Sequence, residues 1–321
     1  MKAAVGSEQG LVIRDVPQSR PKPTELLVKV RAISLNRADL GAARGDASHG
    51  APAGKPVGSE FSGEVVEVGA EVRNFKPGDH VMCHSPGSHA EYAVSDYGRA
   101  LPIPAGMDFE QAATLPIGLN TLHNALVTIG RLKAGETVMV QGASSGVGII
   151  GLQVARLMGA KFVIGTSTND ARRARLKEFG ADLAVDTRDP AWPEQVLKAT
   201  DGKGVNLTVD MLSGPTVSQT MQATALLGRI VNIGRLAGMK AEFDFDLHAR
   251  KRIDYIGVTF RTRTIEEIRD ILNKMRADLW DAVCAGKIRV PIDKTFPLDE
   301  AVAAHAHMRA NAHFGKIIMM P

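Results

Sequence analysis

One stretch constrains the fold more than any other: Thr137-Val138-Met139-Val140, then Gln141-Gly142-Ala143-Ser144-Ser145-Gly146-Val147-Gly148-Ile149-Ile150-Gly151. The first four residues are apolar or β-branched, as a strand buried on both faces of a parallel sheet requires. Beyond the glycines, Val147, Ile150, Val154 and Leu157 recur at three- and four-residue steps and form one stripe of a helix. Gly146, Gly148 and Gly151 fall between and within these elements as G-x-G-x-x-G. In a strand–turn–helix context that spacing makes a tight turn, lets a pyrophosphate approach the backbone and lets the helix pack closely on the strand. The N–H groups at the helix start then face the phosphates. A chain with 32 glycines can produce such a pattern by chance, so the flanking strand and helix carry the assignment. The alternative is a glycine-rich turn that only packs one helix on one sheet.

Lys161-Phe162-Val163-Ile164-Gly165 reads as the next strand. About twenty residues past the first motif glycine, an NAD-binding unit places a carboxylate on the ribose 2′-hydroxyl. Here stands Thr166, followed by Ser167-Thr168-Asn169-Asp170-Ala171-Arg172-Arg173. Hydroxyls and guanidinium groups replace the carboxylate that would repel a 2′-phosphate, and the planar fork of arginine suits phosphate. The cofactor expected is NADPH, with Arg172 at its phosphate. The competing assignment for Arg172, Arg173 and Arg175 is the solvated face of the following helix.

Before residue 115 the pattern differs. Short alternating segments, among them Glu25–Val30 and Gly63–Gly69, are broken by Pro and Gly, which predicts an antiparallel, barrel-like β domain. Strands at 137–141, 161–165, 183–186, 206–210, 229–233 and 254–258 then alternate with helices, which predicts a doubly wound parallel sheet. The tail reads as a helix over 264–286, an extended segment from Val290 to Phe296, a helix over 298–311 and a last strand, Gly315–Met319, returning to the first domain.

At 321 residues and 44% hydrophobic content, the chain can fill two cores. Its 39 Lys+Arg against 35 Asp+Glu leave a charge of +4 without long cationic runs or interleaved aromatics, so nucleic acid is not indicated as a partner. Cys83 and Cys284 are far apart and make no disulfide framework. Met1-Lys2-Ala3-Ala4-Val5 lacks the apolar region of a signal peptide, and no run of about eighteen apolar residues occurs. A cytoplasmic protein acting on a small molecule, without membrane insertion, is expected.

Six motifs occur in one order: Asn36-x-x-Asp39, Gly58-x-Glu60-x-x-Gly63, Lys76-Pro77-Gly78-Asp79, His89-Ala90-Glu91-Tyr92, the stretch from Leu115-Pro116 to Ala125-Leu126, and Gly142-Ala143-Ser144-Ser145-Gly146-Val147-Gly148. Together they resemble the medium-chain dehydrogenase/reductase superfamily, and most closely its zinc-free NADPH:quinone oxidoreductases of the zeta-crystallin type. The resemblance covers essentially the whole chain. It implies an α/β protein with a GroES-like β-barrel catalytic domain, residues 1–118 and 262–321, split around a Rossmann-type doubly wound parallel-sheet cofactor domain, residues 119–261.

The zinc alcohol dehydrogenases of this superfamily carry a cysteine where Asn36 stands and a histidine where Ser59 stands. Neither residue here supplies a zinc ligand, and the spacing of Cys83, His84 and His89 fits neither superfamily zinc site, so they read as strand and loop residues and no metal is expected. Without a metal to polarise a simple ketone, quinones and conjugated enones suit the site better. Hydride addition to them gives a delocalised anion that modest hydrogen bonds stabilise.

By resemblance, Asn36 and Thr121 line the nicotinamide end of the cleft, with Asp39 nearby. Turn capping is the alternative for Asn36 and Asp39, and a helix-start hydroxyl for Thr121. Glu60 and Glu91 read as framework carboxylates. The tyrosine that quinone oxidoreductases carry two residues after the aspartate is Gly41 here, which implies a roomier site with a different donor.

Ligands of parallel sheets sit beyond the carboxyl ends of the strands. This adds Thr166, Ser167, Thr187, Met211, Leu212, Ile233, Gly234, Thr259 and Phe260 to the loop residues Ser144, Ser145, Gly146, Val147 and Gly148 as cofactor contacts. By resemblance, Lys316 reaches the phosphates; its alternative is a solvated lysine entering an edge strand. Asp254–Val258 would be the sheet's far edge, through which a homodimer is expected.

Three functions remain open: an NADPH-dependent quinone or enone reductase, a reductase of enoyl-CoA or polyketide-type thioesters, and a non-catalytic NADPH-binding regulator. Arg44, Arg261 and Arg263 would favour the second.

Overall fold

The computed structural model describes residues 1–7, 10–44 and 54–321. The chain divides into two compact units. The first comprises Met1–Ile117, Phe260–Arg276 and Val283–Pro321, the second Gly118–Thr259 with Ala277–Ala282.

Seven strands come first: β1 (Lys2–Ser7), β2 (Gly10–Asp15), β3 (Glu25–Ser34), β4 (Phe61–Val68), β5 (His80–Cys83), β6 (Tyr92–Asp96) and β7 (Ala100–Pro102). The second unit contributes β8 (Thr137–Val140), β9 (Phe162–Thr166), β10 (Leu183–Val185), β11 (Val205–Asp210), β12 (Thr224–Asn232) and β13 (Asp254–Gly257). β14 (Ile292–Pro297) and β15 (Lys316–Met320) follow. The helices are α1 (Asp39–Ala42), α2 (Phe109–Ala113), α3 (Pro116–His123), α4 (Gly146–Leu157), α5 (Asp170–Arg175), α6 (Trp192–Ala199), α7 (Val217–Ala223), α8 (Phe245–Lys251), α9 (Ile265–Cys284) and α10 (Ala301–Arg309).

The second unit is a sheet in the order β10-β9-β8-β11-β12-β13 with every pairing parallel. The chain winds outward from β8 to β10, crosses to the other side of β8 at β11 and continues to β13. That reversal beside β8 is the switch point at which such sheets bind ligands. All four residues of β8 are buried, as its apolar composition requires. α4 is buried more broadly than its expected stripe. Ile149 and Leu152 are inaccessible, whereas Leu157 is 40% exposed. The helix is enclosed from a second side, because a Cβ at Gly151 would meet both Leu122 of α3, at 2.7 Å, and Val140 of β8, at 3.3 Å. β12 starts five residues earlier than its apolar run predicts, its ladder with β11 shifting register between Val205 and Leu207. Met139, Ile164, Val185, Trp192, Val196 and Val205 pack in one core cluster of this unit.

The first unit is a sheet in the order β14-β15-β3-β4-β5-β7, with β6 also on β3. β3 is long and carries two register shifts on β4, which lets its ends serve β15 and β6 as well. Leu26, Val28, Ile33, Phe61, Val81, Ile317 and Met319 fill its core. One part departs from the expected antiparallel arrangement: β14 and β15 pair in parallel, because α10 carries the chain back between them. The helix expected over 298–311 opens as a 3-10 turn, Leu298–Glu300, before α10.

Candidate functional site

In the second unit the glycine loop is held by hydroxyls. Ser145 caps α4: its Oγ accepts from the Gly148 N–H at 3.1 Å and donates to the Gly142 carbonyl at 2.9 Å. The Gly142 N–H donates to Thr166 Oγ1 at 3.0 Å and the Ala143 N–H to the Thr166 carbonyl at 2.9 Å. Thr166 is thus a buried brace of the loop rather than an open contact. Ser167 Oγ donates to Ser144 Oγ at 3.1 Å, joining the β9 end to the same loop. Gly148 is required by the loop's own backbone, since a Cβ there would lie 2.6 Å from Ala143 Cα and 2.6 Å from the Gly142 oxygen. The N–H groups of Gly146 and Val147 open α4 and have no intrahelical carbonyl. This cradle fits a dinucleotide pyrophosphate: backbone donors, a helix start and no room for a side chain.

Beyond β9, Arg172 and Arg173 stand half-buried on α5, which Asn169 caps by accepting from the Arg172 N–H at 3.0 Å. Arg173 is engaged with the Ser167 carbonyl at 2.9 Å, Asp170 at 2.8 Å and Asp186 at 3.3 Å. Arg188, hydrogen-bonded to Asp186, holds that carboxyl down at about 2. The guanidinium of Arg173 is therefore neutralised in place, and Arg175 pairs with Glu178. Thr187 lies just past β10, half-buried at the same end of the sheet.

The end of β11 meets the loop, and the end of β12 meets that of β11. Ser145 Oγ lies 4.0 Å from Met211 Sδ, and a Cβ at Gly142 would be 3.7 Å from both Met211 and Leu212. A Cβ at Gly234 would lie 2.7 Å from the Met211 oxygen, so these two strand ends touch, with Ile233 leading into the contact. Sequence reasoning missed a buried network here. Asp210 accepts from the Leu212 and Ser213 N–H groups at 2.8 and 2.9 Å, yet burial pushes its carboxyl up. Ser213, at φ 56° and ψ −154°, sits in a region that glycine alone adopts easily, at a cost of about 1–3 kcal/mol. Its Oγ donates to the Gly234 carbonyl at 2.7 Å and accepts from Asn232 Nδ2. A strained non-glycine residue is invisible to periodicity.

In the first unit, four polar side chains distant in sequence converge. Lys316 Nζ contacts Glu60 Oε2 at 2.5 Å and donates to Asn36 Oδ1 at 2.8 Å. Asn36 Nδ2 donates to Glu60 Oε2 at 3.0 Å, and Glu60 Oε1 accepts from the Ile117 N–H at 2.6 Å. Asp39 closes the turn after β3: its Oδ2 accepts from the Asn36 N–H at 2.8 Å and its Oδ1 from Ser59 Oγ at 3.0 Å. Turn capping and participation in a polar site are thus both properties of Asn36 and Asp39. Burial raises the Asp39 carboxyl to about 7, against the lowering effect of the hydrogen bonds from Asn36 and Ser59 and of the Lys316 charge.

Several expectations change. Lys316 is 2% exposed and lies between β14 and β3, so it is neither a solvated lysine nor at an edge; its ammonium is committed to Glu60 and Asn36 rather than presented to a phosphate. Thr121 stands in the body of α3, half-buried, which removes the helix-start alternative. Thr259 is half-buried two residues past β13, and the Phe260 ring packs in the first unit against His84, with centroids 5.2 Å apart. Glu91 accepts the Lys2 N–H at 2.7 Å as a framework group. Cys83 is enclosed in β5 with its thiol pushed up to about 12, and burial holds the His84 imidazole down at about 3. Among the described residues no three His, Cys, Asp or Glu side chains form a metal-holding group, and no helix is long and apolar enough to cross a membrane.

Residues 146–277 match the family described as zinc-binding dehydrogenase, and residues 22–105 the alcohol dehydrogenase GroES-like domain. A quinone oxidoreductase of Pseudomonas aeruginosa is 31% identical over 326 aligned positions, covering 99% of this chain and 98% of that protein. A mycocerosic acid synthase-like polyketide synthase of Mycolicibacterium smegmatis is 28% identical over 319 positions, which are 98% of this chain but 15% of the synthase. Among solved structures, a quinone oxidoreductase of Pseudomonas syringae superposes with a TM-score of 0.86 at 27% identity, over 100% of this chain and 99% of the other.

Proposed function

Because the chain belongs to the medium-chain dehydrogenase/reductase superfamily, and is an oxidoreductase of that kind, we propose that it transfers hydride from NADPH to a quinone or an α,β-unsaturated carbonyl without a metal. The observation that carries the reading is the corner formed by Asn36, Asp39 and Ser59. The two positions that hold ligands in zinc-dependent relatives are occupied here by an amide bonded to Lys316 and Glu60 and a hydroxyl bonded to Asp39. Such a corner positions and protonates; it has no Lewis acid to offer a simple ketone. A nicotinamide dinucleotide supplies the hydride when bound. Gly146, Val147 and Gly148 would hold its pyrophosphate, and Met211, Leu212, Ile233 and Gly234 its nicotinamide-side ribose.

The preference for NADPH rests on Thr166 and Ser167 in place of an acid, with Arg172 following on α5. Arg172→Ala should raise the KM for NADPH at least about tenfold while changing that for NADH by less than about twofold, the loss expected of a charge-assisted contact. Equal changes for both cofactors would remove Arg172 from the phosphate.

The acceptor is tested by following NADPH oxidation with a quinone, a short enone, an alkenal, an enoyl-CoA and a simple ketone. Turnover of quinone or enone with silence toward the ketone is expected; ketone turnover at a comparable rate would overturn the metal-free reading. The likeness to a polyketide synthase segment favours a second reading, reduction of an enoyl thioester, which a steep preference for the CoA ester would select. Among the described residues β13 pairs only with β12, and it carries the half-exposed Tyr255, which packs on Phe243 beside the exposed Phe245. An uncovered edge with apolar neighbours supports a homodimer with a second copy there.

A further inference from the structure

Reduction by hydride leaves an anion, and a proton must reach it. Asp39 is 3% exposed. Among the described residues its surroundings supply hydrogen bonds but no ion pair with a lysine or arginine. Lys316, the nearby ammonium, is bound to Glu60. His89 Nε2 lies 3.7 Å from Asp39 Oδ2, beyond a hydrogen bond. The His89 ring is inaccessible, has no hydrogen-bond partner on either nitrogen among the described residues and stands edge-on to His305 at 5.3 Å between centroids. His305 is likewise buried, and among the described residues neither of its nitrogens has a hydrogen-bond partner. Burial keeps both imidazoles neutral at ordinary pH, with Arg309 beside His305 acting in the same direction. Among the described residues the titratable groups facing Asp39 are Glu60 before β4, Lys316 on β15, His89 and, behind it, His305 on α10, and none forms an ion pair with the carboxylate at hydrogen-bonding distance.

One hydroxyl bonded to Asp39 is itself partly accessible. Ser59 is half-buried, and its Oγ is 3.0 Å from Asp39 Oδ1. Gly58 precedes it. This glycine has φ +92°, and a Cβ there would fall 2.1 Å from His89 Cδ2 and 2.3 Å from Ser88 Oγ, so only glycine lets the turn before Ser59 lie against the imidazole.

We propose that Asp39 stores the proton of this reaction and that the Ser59 hydroxyl relays it to the reduced acceptor. The proposal rests on the reductase reading above. Hydride from the reduced nicotinamide gives the acceptor an electron pair, as an enolate or hydroquinone anion. The Ser59 O–H bond breaks toward that anion while Ser59 Oγ takes the proton of Asp39 Oδ1. The result is a neutral product, an intact serine and an Asp39 carboxylate. Water reprotonates Asp39 through the same hydroxyl once product leaves. A carboxyl that burial pushes up to about 7 and that is hydrogen-bonded to the Ser59 hydroxyl suits this role.

The first test needs no turnover. In the full-length protein with carboxyl-labelled aspartate, carbon NMR should show one carboxyl titrating near pH 7, absent from Asp39→Asn and moved to higher pH in Ser59→Ala, which lacks a donor to the carboxylate. Titration of Asp39 in the ordinary range, below about pH 5, overturns the proposal. The second test is turnover. Asp39 must be protonated, so kcat of the wild type should fall as pH rises through about 7. Ser59→Ala and Asp39→Asn should each lower kcat about 100-fold at unchanged KM for NADPH and lose that limb, and Ser59→Thr should restore it. Both variants at wild-type rate with the limb intact would sink the relay and leave the reductase standing. A wild type inert toward every acceptor would overturn both.

Discussion

Lys316→Met should destabilise the protein by about 3–5 kcal/mol in chemical denaturation, the cost of leaving a buried charge without its partner. Glu60 is inaccessible to solvent and Lys316 nearly so, and their contact is 2.5 Å. With the ammonium gone, the donors left to the Glu60 carboxylate among the described residues are Asn36 Nδ2 and the Ile117 N–H. Methionine matches the stem of lysine in volume, so the loss reports charge rather than a cavity. Adding Glu60→Gln should recover most of the loss, because the amide oxygen still accepts from Ile117 and no charge remains. A loss under about 1 kcal/mol, or a double variant no more stable than the single, would show that the pair does not hold β15 to the turn after β3.

The second large effect is on cofactor binding. Gly148→Ala should weaken NADPH binding about 100-fold or more, measured by fluorescence titration, while the sheet stays folded by circular dichroism. The added Cβ meets backbone atoms only, at 2.6 Å to Ala143 Cα and the Gly142 oxygen and 2.9 Å to Ala143 C. No rotamer relieves such contacts, so the loop that carries the phosphate donors moves, and displacements of about 1 Å cost about two orders of magnitude. Gly151→Ala is the control. Its Cβ meets the Leu122 side chain at 2.7 Å, which can shift. It should cost about 1–3 kcal/mol of stability and leave NADPH affinity within a few-fold. Equal losses of affinity in both variants would mean that the loop's role is packing alone.

These two glycines show what local pattern can and cannot say. Both were legible as members of one motif, because the motif is contiguous and each position answers a short-range steric demand. Their separate duties came from contacts, Gly148 with the loop that precedes it and Gly151 with α3. Arg172 and Arg173 are adjacent and alike in sequence, yet Arg173 is occupied by Asp170 and Asp186. The pairing to Asp186 depends on β9 and β10 lying side by side, which no window of sequence contains.

The sequence by itself determined the alternation of strands and helices over the cofactor unit, the glycine loop and the side chains beyond β9, since burial on a sheet and turn geometry are written in residues a few positions apart. Only the tertiary structure decided the chemistry of the other unit. It brought Lys316 to Glu60 across 256 positions and to Asn36 across 280, and it placed Asp39 beside Ser59 with the neutral His89 behind. Charges and proton affinities depend on what lies within a few ångströms in space, and in a chain folded by long-range strand pairing those neighbours are distant in sequence.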